Sequence, residues 1–125
     1  MAGSYPILLV DDEADLLATY ERLLRRRGYR IVATGSCRDG LSIIEREPLA
    51  LLVTDLRLPD GDGIDLVRAA RGTATPTPSI VVTGFASEAS RSVALTAGAS
   101  GYLAKPFGAS AFTSLVGGIL GSAPA

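Results

Sequence analysis

Five times along this chain a short apolar run gives way to an amphipathic stretch, and that alternation restricts the fold more than any other feature. Residues 6–10 form the first run. A helical pattern follows over 13–27, with Leu16, Leu17, Tyr20, Leu23 and Leu24 on one face and Gly28 as its stop. Residues 30–34 predict a second strand. Ser36 suits the cap of a helix reaching Glu47, which buries Cys37, Leu41 and Ile44 before Pro48 ends it. Residues 49–54 are the third run, and the loop from Leu58 to Gly63 leads into a helix ending at Arg71. Residues 72–78 carry no period and predict an exposed loop. A strand over 79–83, a helix over 87–97, a strand over 101–104 and a helix over 109–120 complete the series. Gly117 and Gly118 weaken the last helix.

Strands alternating with helices imply an α/β protein, a parallel sheet with helices on both faces. Right-handed crossovers leave few topologies. A flavodoxin-like (βα)5 doubly wound sheet, strand order 2-1-3-4-5, puts strands one and three side by side at a switch point. Sites in such sheets lie beyond the carboxyl ends of the strands. Asp11 and Asp12 end the first run, Asp55 the third and Thr83 the fourth, and Lys105 follows the fifth. The order therefore gathers three aspartates, a hydroxyl and an ammonium on one rim.

Composition narrows the chemistry. The 125 residues suit a single domain over 1–125, with a core at about 5–120 and residues 121–125 as a tail or linker stub. Twelve basic and thirteen acidic residues leave a net charge of −1, which argues against direct nucleic-acid binding by charge. One cysteine permits no internal disulfide, and the first residues lack the pattern of a signal peptide. No apolar stretch approaches the ~20 residues of a membrane span, so no membrane contact and a cytoplasmic location are expected. With no histidine and a lone cysteine, any metal must be a hard, oxygen-bound ion such as Mg2+.

Clustered carboxylates repel and raise one another's pKa unless a cation intervenes. Mg2+ and Lys105 both answer that need, leaving one carboxylate ionised as a nucleophile toward phosphorus. Phosphoryl transfer asks mainly for positioning and neutralisation of the phosphoryl oxygens. Thr83 offers a hydroxyl, and Gly84 leaves room for a phosphoryl group beside it. Aspartates suit helix N-termini, but capping explains one of them and not a set matched to Lys105. The segment Asp60-Gly61-Asp62-Gly63-Ile64-Asp65 has aspartate where a calcium-binding EF-hand loop needs glycine, so it is a turn and helix start. Arg25-Arg26-Arg27 are cations at a helix C-terminus, and Cys37 is a small core residue.

The segments Val10-Asp11-Asp12-Glu13, Thr54-Asp55-Leu56-Arg57-Leu58-Pro59-Asp60-Gly61, Val82-Thr83-Gly84, Ala97-Gly98-Ala99 and Lys105-Pro106-Phe107, in this order, resemble the receiver domain of two-component response regulators. The resemblance covers about residues 5–120. It implies that Asp55 is the phosphoacceptor. Asp12 would bind Mg2+ directly, with Asp11 assisting and the backbone carbonyl of Arg57 completing the shell. It further implies that Lys105 pairs with Asp55 and then with a phosphoryl oxygen. Thr83 would move to bind another, Tyr102 would rotate as an aromatic switch, and the Lys105–Pro106 peptide would be cis. Arg91 and Leu95, four apart on the fourth helix, are expected beside Tyr102 on an output surface. Arg57 and Phe85 occupy positions that tune the lifetime of the phosphoryl group.

By this resemblance the chain is a phosphorylation-controlled switch in a phosphorelay. A histidine kinase or histidine phosphotransfer protein is the donor, and a downstream effector domain or protein is the target. A homodimer through the fourth and fifth helices is possible. The domain catalyses its own phosphorylation and dephosphorylation but is no independent enzyme. Two rivals stay open. A haloacid-dehalogenase-like phosphatase also uses an aspartyl phosphate, Mg2+, threonine and lysine, its nucleophile ending strand one with a second acid two residues later; here the residue two after Asp11 is Glu13, and no cap domain is expected. A pseudo-receiver would act only as an interaction module.

Overall fold

The computed structural model describes residues 5–121. Its elements are β1 (Ile7–Val10), α1 (Ala14–Arg25), β2 (Ile31–Thr34), α2 (Cys37–Arg46), β3 (Leu51–Asp55), β4 (Arg57–Leu58), β5 (Gly61–Asp62), α3 (Gly63–Arg71), β6 (Ser79–Thr83), α4 (Glu88–Ala97), β7 (Gly101–Ala104) and α5 (Ala109–Leu120). Five strands pair in the order β2-β1-β3-β6-β7, and every pair is parallel. With the two-residue strands β4 and β5 set aside, this is the expected order 2-1-3-4-5.

The central strands β1, β3 and β6 are buried along their whole length and mostly apolar because the sheet is covered on both faces. Successive side chains point to opposite sides. Leu8, Val10, Leu52 and Val81 enter one core with Ile43, Ile44, Leu66 and Val67 of α2 and α3. Ile7, Leu9, Leu51, Val53, Ile80 and Val82 enter the other with Tyr20 and Leu24 of α1 and Phe112 and Val116 of α5. Phe112 is fully buried, its ring 5.1 Å from Tyr20 and 5.5 Å from Phe107. That packing keeps α5 helical across Gly117 and Gly118.

Helix ends follow local chemistry. The α1 helix stops at Arg25, two residues before the expected Arg27, because the chain turns through Gly28 at φ 91°. The amides of Arg27 and Tyr29 both donate to the Leu24 carbonyl. Ser36 caps α2, accepting from the Asp39 amide at 3.1 Å. Glu47 is already extended, as the residue before Pro48 must be. Gly98 closes α4 at φ 114°, where a side chain would also strike Arg71. Residues 122–125, most of the expected tail, lie outside the described residues.

The segment expected to be a plain turn and helix start holds more structure. Arg57 and Leu58 pair antiparallel with Asp62 and Gly61 to form a small ribbon. Asp62 caps α3 by accepting from the Ile64 amide at 2.9 Å. Asp60, at the ribbon's tip, reaches another helix: its carboxylate accepts from the amides of Cys37 at 2.7 Å and Arg38 at 3.0 Å, capping α2. Those N–H groups, Arg38 first, hold the Asp60 carboxyl below its ordinary value of 3.8. A depressed carboxyl gives stability that is present above the ordinary value and lost as pH falls through the lower folded one. Asp60→Asn should therefore lower Tm at about pH 6 and flatten the loss of Tm on acidification below about pH 4. Parallel curves for the two proteins would rule the cap out as a source of that slope.

Candidate functional site

All of the expected site residues except Tyr102, Arg91 and Leu95 meet at the carboxyl edge of the sheet. Asp11, one residue past β1, is 2% exposed, and Asp55, the last residue of β3, is 7% exposed. Asp12 faces solvent. Carboxylate oxygens of Asp11, Asp12 and Asp55 all lie within 4.8 Å of one another. Lys105 enters from the end of β7, its amide held by the Thr83 carbonyl at 2.8 Å. The Lys105–Pro106 peptide is cis.

The ammonium of Lys105 donates to Asp11 Oδ2 and Asp55 Oδ2, each at 2.9 Å, and to Glu13 Oε1 at 3.0 Å. Glu13 was not among the expected site residues. The signal for it was its place at the start of α1, two residues after Asp11, where a long carboxylate can turn back over the cleft. Its amide also donates to Asp11 Oδ1 at 2.9 Å. The Arg57 amide donates to Asp55 Oδ1 at 3.3 Å. Both buried carboxylates are thus held on two sides, one by the lysine and one by backbone.

Electrostatics express the crowding. Burial raises the Asp11 carboxyl above its ordinary value, and the Glu13 amide and Lys105 only partly offset this. Burial alone would lower the Lys105 ammonium, but its bonds to Asp55, Asp11 and Glu13 outweigh burial and hold it well above 10.5. At neutral pH the lysine is a fixed cation inside an acidic cleft.

Around this centre, Thr83 is fully buried and its Oγ1 accepts from the Phe85 amide at 2.9 Å. A side chain at Gly84 would meet no atom within 4 Å, consistent with open space beside the hydroxyl. The Arg57 guanidinium lies 4.3 Å from the centroid of the Phe85 ring, joining β4 to the loop before α4 by a cation–π contact. Each residue could be singled out from the sequence, but their contact could not. Tyr102 is half-buried, its hydroxyl hydrogen-bonded to Ser90 Oγ. Arg91 and Leu95 are exposed on α4. A groove of ≈ 440 Å³ adjoins Lys105, lined by Leu16, Tyr20 and Leu23 of α1 and by Pro106 and Phe107.

The side chains that meet in the cleft are carboxylates and one ammonium. The three aspartates suit a hard divalent ion, and the site offers no softer ligand. Among the described residues no helix is long and apolar enough to cross a membrane.

Comparison with known proteins gives the same answer. The family described as response regulator receiver domain matches residues 7–116. The acid tolerance regulatory protein ActR of Rhizobium meliloti is 37% identical over 100 residues, covering 80% of this chain and 52% of that protein. The chain spans about half the length of the curated relatives it matches. A CheY-like receiver domain from Methanospirillum hungatei superposes with a TM-score of 0.87 at 31% identity, covering 93% of each chain. The receiver domain of the sensor histidine kinase PA1611 from Pseudomonas aeruginosa, with a magnesium ion coordinated in its active-site cleft, gives a TM-score of 0.84 at 31% identity, covering 94% of this chain and 98% of that one. With the family match running from the first strand into the last helix, and the acidic cleft standing at the ends of the same strands, this chain belongs to the response regulator receiver domains.

Proposed function

We propose that Asp55 accepts a phosphoryl group in a Mg2+-dependent step and that its arrival reshapes the surface of α4, β7 and α5. The observation that carries this reading is the Lys105 ammonium, bound at 2.9 Å to both buried aspartates. That cation is bonded to the carboxylate that would react and stands where a phosphoryl oxygen would arrive. Asp11, Asp12, Asp55 and the backbone carbonyl of Arg57 would hold Mg2+, which when bound neutralises charge on the phosphoryl oxygens. One Asp55 oxygen attacks phosphorus as the bond to the leaving group breaks, and the departing imidazole keeps the electron pair and takes up a proton. Lys105 then shifts from Asp55 Oδ2 to a phosphoryl oxygen, and Thr83 donates its hydroxyl to another.

The donor is a phosphohistidine on a histidine kinase or histidine phosphotransfer protein, since this chain has no histidine. The groove beside Lys105, with Leu16, Leu23 and Phe107 at its walls, would offer such a protein an apolar seat next to the lysine that holds Asp55. Downstream, Tyr102, Arg91 and Leu95 face an effector domain or protein, or a second copy of the chain.

Incubation with acetyl phosphate and Mg2+, followed by intact-mass measurement, tests the reading. Wild type should gain one phosphoryl group per chain, and chelation or Asp55→Asn should abolish the gain. Multiple turnover of small phosphate esters would favour the phosphatase reading. No uptake from acetyl phosphate or a cognate kinase would favour an interaction module.

The Arg57–Phe85 contact bears on lifetime. Phe85 is 60% exposed at the rim and carries the Arg57 guanidinium on its ring, and a ring held there would hinder water on its way to a phosphorylated Asp55. Phe85→Ala should speed loss of phosphate from the phosphorylated protein about threefold or more, by the ~0.5–1 kcal/mol of an exposed cation–π pair. Equal rates would remove the shielding role.

A further inference from the structure

Ser90 occupies a junction that neither its helix nor the phosphorylation chemistry requires. It lies in the first turn of α4 and completes a reciprocal cap with Ser87, each amide donating to the other's hydroxyl, at 3.1 Å and 3.0 Å. A cap needs no more. Yet Ser90 Oγ is also bonded to the Tyr102 hydroxyl across from β7, and it lies 3.2 Å from the Ser87 carbonyl and 3.5 Å from that of Phe85.

A serine hydroxyl has one proton to give and two lone pairs to fill. The Ser87 N–H fills one lone pair. If the proton goes to the Ser87 or Phe85 carbonyl, Tyr102 must donate into the other. The hydroxyl is then saturated and ties Tyr102 to the loop over residues 85–87. At its other end the same loop is anchored by the Phe85 amide on Thr83 Oγ1, 2.9 Å away. A continuous hydrogen-bonded path therefore runs from Thr83, through the main chain of Phe85 and Ser87, to Ser90 and Tyr102.

We infer that Ser90 is the positioning residue that couples Thr83 to Tyr102. When Thr83 turns toward a phosphoryl oxygen, the Phe85 amide loses or redirects its acceptor and the loop moves. Ser90 converts that movement into a new setting of the Tyr102 ring. This rests on the reading of Asp55 as phosphoacceptor. The coupling runs through one hydroxyl, so it is lost when that hydroxyl is removed and kept when it is retained.

The test is made on the full chain with 13C-labelled tyrosine rings, the Tyr102 signal being assigned by its absence in Tyr102→Phe. Ring shifts are recorded before and after acetyl phosphate and Mg2+, with phosphoryl content measured by mass on the same samples. Ser90→Ala should take up phosphate like wild type, yet show less than half of the wild-type shift at Tyr102. Ser90→Thr, which keeps the hydroxyl, should restore the shift. Ser87→Ala, which weakens the cap but leaves the Ser90–Tyr102 bond, should retain it. A full shift in Ser90→Ala, or a loss in Ser87→Ala equal to that in Ser90→Ala, would overturn the inference and leave Ser90 as a capping residue alone. Absence of phosphoryl uptake in wild type would instead sink the acceptor reading beneath it, so the two failures are distinct.

Discussion

Replacing Lys105 with methionine is expected to destabilise the metal-free protein by about 3 kcal/mol, the scale seen when one partner of a buried ion pair is removed. The side chain is 12% exposed, and those of its partners Asp11 and Asp55 are 1% and 10% exposed. Methionine matches the lysine stem in length but returns no charge to either carboxylate. The two buried carboxylates then face each other with no cation between them. Mg2+ should recover much of the loss, because a divalent cation at the same oxygens stabilises by mass action. It should also bind at lower concentration in the variant, where no ammonium competes. In wild type the contribution of Lys105 is fully present below its ordinary pKa of 10.5 and is lost only as pH rises through its higher folded value. Chemical denaturation with and without Mg2+ measures both effects. A variant as stable as wild type without metal, with an unchanged Mg2+ midpoint, would contradict the role given to Lys105.

Gly63→Ala should be nearly as damaging for a purely steric reason. A Cβ at that position would stand 2.0 Å from the Asp55 carbonyl oxygen and 3.1 Å from Thr54 Oγ1. The obstacle is backbone and cannot swing aside. The Gly63 amide also donates to the Leu56 carbonyl at 2.8 Å, so the start of α3 is pinned against the end of β3. Overpacking of this kind costs about 1–3 kcal/mol or more and should lower Tm by roughly 10 °C. The displaced segment carries the proposed acceptor, Asp55, so phosphoryl uptake should slow by about tenfold or more. Gly84→Ala is the control, because a Cβ there meets nothing within 4 Å. Its stability should stay within about 0.5 kcal/mol of wild type. Equal Tm for Gly63→Ala and wild type would show that the β3–α3 junction yields more easily than its geometry implies.

What could be read from the sequence divides along a physical line. Strands buried on both faces announce themselves as unbroken apolar runs, so β1, β3 and β6 were visible to within about two residues. The polar residues that end them, Asp11, Asp55 and Thr83, stood out because they break those runs. Lys105 stood out because it follows one. Contacts between distant segments left no such mark. The two-residue strands β4 and β5 are too short to show a period. The cap that Asp60 places on α2 joins residues far apart in sequence, and nothing local to either reveals it. Glu13 on Lys105, Arg57 on Phe85 and Ser90 on Tyr102 are likewise products of the assembled rim. At α1 the apolar pattern set the face correctly, and Gly28 set the end earlier than the run of arginines suggested.

The central claim is that one carboxylate among three neighbours is the acceptor. Phosphorylating the wild type with acetyl phosphate and Mg2+, reducing the acyl phosphate with borohydride and mapping the reduced residue by peptide mass spectrometry tests it directly. The account predicts reduction at Asp55 and at neither Asp11 nor Asp12. Label on either of those, or its persistence in Asp55→Asn, would contradict it.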